Sequence, residues 1–167
     1  MFIDIIKNIF LRSDKDNSKN GSELTRFPIF SALNPLEAMI IDRSIYRRKY
    51  KKGEVIVKER DASVGLYLIN SGEVKVYKEI KGIQIELATL QEGSFFGELT
   101  LLEERPRSAT IQASDRTEVL CLFRPDFLEI LKHHPIICSK FLPNFCSTII
   151  DRTKFMYKSI DKLNPGM

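Results

Sequence analysis

The middle of this chain alternates apolar and polar positions, and its two ends do not. Val74 and Val76 flank Lys75 and follow Glu73, a period of two that turns one strand face toward a core. Ile83, Ile85 and Leu87 repeat the period just after Lys81-Gly82, a hairpin signal. Residues 55–57, 66–69, 109–113 and 118–123 read as further short strands. Six of the eight glycines lie between Gly53 and Gly97, spaced as turns between those strands. The pattern predicts an antiparallel sandwich or barrel.

The flanks carry helical signals. Residues 2–11 read as one short helix, and 12–22, rich in Asp, Lys, Asn and Ser, as a flexible loop. Asn34 ahead of Pro35 predicts a capped helix over 35–41. Residues 125–132 form another short helix. From Pro135 onward the pattern is helical again, with Leu142, Ile149, Met156 and Leu163 recurring every seven residues and Cys146 and Ile160 on nearly the same face. Pro143 has no amide donor and is expected to start or kink this last helix. The predicted class is mainly β with flanking α. Residues 1–26 hold the N-terminal helix and loop, 27–134 a β-roll with short flanking helices, and 135–167 a C-terminal helix.

Composition narrows the chemistry. The chain has 167 residues, 43% hydrophobic and 29% charged, the balance of a globular domain. No apolar run approaches the roughly 20 residues that cross a bilayer. The N-terminus shows no small-residue cleavage site, so a cytoplasmic location without membrane contact is expected. Three cysteines form no C-x-x-C pair; Cys121, inside an apolar run, reads as core. His133 and His134 have no partners at ligand spacing, so no metal is expected. The formal charge is +4, with basic residues gathered at Arg43, Arg47, Arg48, Lys49, Lys51 and Lys52. Such a run suits an acidic partner or simply a solvated strand and turn. The second reading is preferred, because no recognition-helix pattern for nucleic acid accompanies it. No catalytic triad, metal cluster or G-x-x-x-x-G-K loop is present, and an enzyme is not expected.

The informative segment runs from Gly93 to Thr110. Phe95 and Phe96 end a strand. Gly97 lets the backbone turn or approach a ligand closely. Arg107 returns nine positions after Glu98, followed by the small Ser108 and Ala109. An arginine fork beside free backbone amides makes a phosphate pocket. The same residues would equally serve an ordinary Glu98–Arg107 salt bridge with glycines as plain turns.

The segment Phe96-Gly97-Glu98-Leu99 through Pro106-Arg107-Ser108-Ala109-Thr110 resembles the phosphate-binding cassette of the cyclic-nucleotide-binding domain family, which includes kinase regulatory subunits, gated channels and catabolite activators. The likeness extends to Lys52-Gly53-Glu54-Val55-Ile56, to the run from Leu66 to Val76, and to Phe123-Arg124-Pro125-Asp126-Phe127 and His134-Pro135, covering about residues 27–160. It implies a jelly-roll-like β-roll with a C-terminal lid, and a cyclic nucleotide as ligand, cAMP first and cGMP second. By position it implies that Arg107 binds the cyclic phosphate and Glu98 accepts from the ribose 2′-hydroxyl. The amides of Gly97, Leu99, Ser108 and Ala109 complete the cradle. Val76, Leu87 and Ala88 face the purine, and the last helix around Arg152, Thr153 and Phe155 caps it. Two departures stand out. Arg60-Asp61 replaces the family's glycine-acid pair, where a left-handed Arg costs about 1 kcal/mol or more, and Pro143 interrupts the lid helix. The resemblance implies a sensor that acts through a protein partner or as a homodimer through its last helix. Kept beside it are a degenerate dimerisation scaffold and a truncated catabolite-activator-type transcription factor.

Overall fold

The computed structural model describes residues 23–62 and 64–163, with side chains through residue 154. The expectations for 2–11 and 12–22, and those for the side chains of Phe155, Met156, Ile160 and Leu163, lie outside the described residues.

Two 3-10 turns, Leu24–Arg26 and Pro28–Phe30, precede helix α1, Pro35–Asp42. Asn34 caps α1 through a reciprocal pair: its side chain accepts from the Glu37 amide, and Glu37 accepts from the Asn34 amide. Such a cap contributes about 1 kcal/mol. Eight strands follow: β1 Ile45–Tyr50, β2 Val55–Val57, β3 Gly65–Ser71, β4 Glu73–Ile80, β5 Ile83–Gln91, β6 Phe95–Phe96, β7 Thr110–Ala113 and β8 Thr117–Phe123. A short helix α2, Leu99–Leu102, separates β6 from β7. Helices α3, Arg124–His133, and α4, Pro135–Leu163, close the chain.

The strands form two four-stranded antiparallel sheets, ordered β1-β8-β3-β6 and β2-β7-β4-β5. The first sheet is covered on both faces, which is why β3 and β8 read as continuous apolar runs. Leu66, Leu68, Leu120, Leu122 and Phe95 point to the helical side, where Phe27, Phe30, Phe127, Phe141 and Phe145 meet them. Tyr67, Ile69, Val119, Cys121, Phe123 and Phe96 point between the sheets, against Val74, Ile111 and Ala113. The N-terminal turns and α4 therefore share one core with the first sheet. The second sheet exposes its edge: Ile83, Ile85 and Leu87 of β5 keep 66, 41 and 56% of their surface.

Three expectations are modified. Helix α4 begins at Pro135, not at Pro143, and continues through Pro143, with Phe141 and Phe145 on either side of it buried in the core. Arg60 does adopt a left-handed backbone, φ 69°. Arg47 is not solvated: its guanidinium lies 2.7 Å from Asp42 and 3.2 Å from Glu23, tying β1 to α1 and the N-terminal turn.

Candidate functional site

Arg107 reaches the interior because the loop before β7 folds back over β3. Its side chain is 7% exposed. One terminal nitrogen, Nη2, donates to the Gly65 carbonyl at 3.1 Å. The guanidinium lies over the Tyr67 ring, 5.0 Å from the centroid, and Tyr67 is stacked on Phe96 at 5.0 Å. Burial pushes the Tyr67 hydroxyl well above its ordinary range, so the ring carries no charge there at neutral pH. Nε of Arg107 is buried without a hydrogen-bond partner among the described residues. No carboxylate among them pairs with Arg107, so the Glu98–Arg107 salt bridge is not formed.

Gly97 is required by contact as well as by conformation. Its φ is +77°, and a Cβ there would lie 2.2 Å from Nη1 of Arg107 and 2.7 Å from the Gly65 carbonyl. Gly65 cannot yield, because a Cβ on it would lie 2.2 Å from the Leu122 carbonyl of β8. Thr100 donates to the Gly97 carbonyl at 2.7 Å, with Gly65 O at 3.1 Å as a second acceptor, and fixes α2 on the same point.

Glu98 turns toward the last helix. Its Oε2 lies 3.1 Å from Nη1 of Arg152. Nη2 of Arg152 donates to the Phe95 carbonyl at 2.5 Å, and its guanidinium covers the Phe95 ring at 4.6 Å. Thus Arg152, read from sequence as a cap for the base, holds the acid assigned to the ribose.

The remaining candidates lie on α2, β4, β5 and the loop before β7. Leu99 opens α2 and is 41% exposed. Ser108 is exposed and Ala109 half-buried. The amides of Leu99, Ser108 and Ala109 have no protein acceptor among the described residues. Val76 stands opposite both Ala88 of β5 and Ile111 of β7. Leu87 falls in the bulge between the Val76 and Tyr77 pairings.

Two residues escaped the sequence reading. Lys78 of β4 donates to the Ser108 carbonyl at 2.6 Å and lies 2.7 Å from Oε1 of Glu59. The amide of Glu79 and then Lys78 hold the Glu59 carboxyl below its ordinary range. The signal available was Lys78 sharing a strand face with Val74 and Val76, an odd place for a cation. No cluster of His, Cys, Asp or Glu suited to a metal occurs among the described residues.

The chain is an antiparallel β-roll packed by helices, with a buried arginine set between two glycines, the architecture of a cyclic-nucleotide-binding regulatory domain. The model of the cyclic nucleotide-binding domain family matches residues 47–134, more than half the chain, and the chain belongs to that family. The cyclic AMP receptor protein of Thermus thermophilus is 37% identical over 111 residues, 66% of this chain and 51% of its own length. A cAMP-dependent protein kinase regulatory subunit of Emericella nidulans is 34% identical over 108 residues, 65% of this chain and 26% of its own length. The chain thus spans between a quarter and about half of these relatives. Among solved structures, the catabolite activator protein of Thermus thermophilus superposes with a TM-score of 0.71 at 33% identity, over 82% of this chain and 63% of that one. The regulatory domain of Toxoplasma gondii PKA, solved with cAMP, does so with 0.63 at 26% identity, over 74% and 48%.

Proposed function

We propose that this domain binds a cyclic nucleotide, cAMP being the first candidate and cGMP the second, and passes the occupancy to a partner through α4. The observation that carries the reading is Arg107: a buried cation with no counter-charge among the described residues and an unpartnered Nε. A buried unpaired charge costs several kcal/mol, and a cyclic phosphate would supply the missing anion. The amides of Gly97, Leu99, Ser108 and Ala109 complete the cradle, Ser108 adding its hydroxyl. Val76, Leu87 and Ala88 receive the purine, the exposure of Leu87 on the bulge leaving apolar surface for it.

Glu98 accepts from the ribose 2′-hydroxyl while it holds Arg152, so ligand and lid helix meet on one carboxylate. A ligand shifts a two-state lid only through unequal affinity for the two states, and a hundredfold ratio supplies about 2.7 kcal/mol. The output is a protein partner or a second copy engaged through α4. The domain works as a cytoplasmic regulatory module with no catalysis, metal, membrane or nucleic-acid contact of its own. Its cofactor-like ligand is the cyclic nucleotide alone.

Calorimetry with cAMP and cGMP tests this. The native protein should bind at micromolar Kd or tighter, and Arg107→Ala should weaken binding at least tenfold, about 1.4 kcal/mol. Equal affinity in both proteins rejects the role of Arg107. A 2′-deoxy ligand bound as tightly as the ribose form rejects that of Glu98. Failure of the native protein to bind either nucleotide leaves the scaffold reading.

A further inference from the structure

Resting on the phosphate reading above, we infer that Lys78 and Glu59 are positioning residues that set the cradle's amide donors by holding the carbonyls behind them. In a trans peptide the C=O and the following N–H point in opposite directions, and no cis peptide is present among the described residues. Two peptide planes flank Ser108. The first carries the Arg107 carbonyl, which accepts from the Arg60 amide at 2.9 Å. Its N–H, on Ser108, therefore points away from the 59–61 turn. The second carries the Ser108 carbonyl, which accepts from the Lys78 ammonium at 2.6 Å. Its N–H, on Ala109, points away from Lys78. Neither N–H meets a protein acceptor among the described residues.

Both braces spring from one small assembly. Oε1 of Glu59 lies 2.7 Å from Lys78, and its Oε2 accepts from the Glu79 amide at 2.9 Å. The Glu59 amide donates to the Thr110 hydroxyl at 3.0 Å, and the Arg107 amide to the Asp61 carbonyl at 2.9 Å. The left-handed Arg60 lies at the centre, its φ of 69° bringing its amide onto Arg107. Strain of this kind persists only where the surroundings over-determine it. The Glu59 carboxylate orients Lys78, and Lys78 orients Ser108.

Calorimetric titration with cAMP decides the matter, using Lys78→Met, Lys78→Arg and Glu59→Gln beside the native protein, with melting of each free protein. Lys78→Met should weaken binding about tenfold and Lys78→Arg should recover it to within about threefold. Melting should barely move, since Lys78 is 37% exposed and an ion pair open to solvent on one side contributes little to stability. Glu59→Gln separates positioning from bulk charge. Removing a negative charge near the phosphate would tighten binding if Lys78 acted only by its field, whereas loss of the orienting carboxylate should weaken it severalfold. Native affinity in Lys78→Met, tighter binding in Glu59→Gln, or a loss matched by collapse of the free protein's melting would each overturn the inference and leave the phosphate reading standing. A native protein that binds neither cyclic nucleotide would overturn both.

Discussion

Gly97→Ala puts the geometry of the site to a quantitative test. Two separate effects act at this position. A left-handed backbone costs an Ala about 1–2 kcal/mol, partly offset by about 0.4–1 kcal/mol from the stiffer unfolded chain. The second effect is contact. The new methyl would stand 2.2 Å from Nη1 of Arg107 and 2.7 Å from Gly65 O, and Gly65 is itself wedged against β8. The guanidinium must therefore move, and it loses its hydrogen bond to Gly65 O. Hydrogen bonds to charged groups contribute about 1.5–3 kcal/mol, so the total loss should reach about 2–4 kcal/mol. Gly93→Ala supplies the control. Gly93 has φ +82° but nothing within 4 Å of its Cβ position, so it carries only the backbone effect, about 1 kcal/mol. Equilibrium unfolding in urea measures both. Gly97→Ala should be the less stable by about 1.5 kcal/mol or more, and it alone should lose at least tenfold in cyclic-nucleotide affinity. Equal destabilisation of the two variants would refute the contact between Gly97 and the arginine.

Three other outcomes are expected. Phe141→Ala should cost about 3–5 kcal/mol in urea unfolding, because its buried ring meets Phe30 at 5.5 Å and Phe127 at 6.0 Å and joins α4 to both the N-terminal turn and α3. Thermal stability should hold down to about pH 5 and then fall. Lys140 on Glu37, the Glu79 amide on Glu59 and Lys75 on Glu86 hold these carboxyls below their ordinary 4.5, so the folded state binds fewer protons; that stability is present above 4.5 and lost as pH drops through the lowered values. A melting curve unchanged between pH 6 and pH 3 would contradict those contacts. A thiol reagent should modify the exposed Cys146 quickly in the native protein, and the buried Cys121 and Cys138 only on unfolding; burial also pushes the Cys121 thiol up and suppresses its thiolate.

Local physics made much of this molecule legible. Period-two alternation at Val74 and Val76 and the positive-φ pair Lys81-Gly82 mark the β4–β5 hairpin. Asn34, Pro35 and Glu37 are enough to start α1. Gly97 marks a tight turn, because only glycine admits both its backbone angle and the close approach of Arg107. Tertiary structure decided the rest. Glu98 is 54 residues from the Arg152 that holds it, and Lys78 is 30 from the carbonyl that it pins. Whether Arg107 met a carboxylate or a bare carbonyl depended on how β3 lies beneath the loop. Pro143 did not start the last helix, which begins at Pro135 and carries Phe141 and Phe145 into the core on either side of the proline. Neighbouring residues settle backbone angles and strand faces. The pairing of charges depends on strand register and on how helix packs against sheet, and those emerge only when the whole core closes.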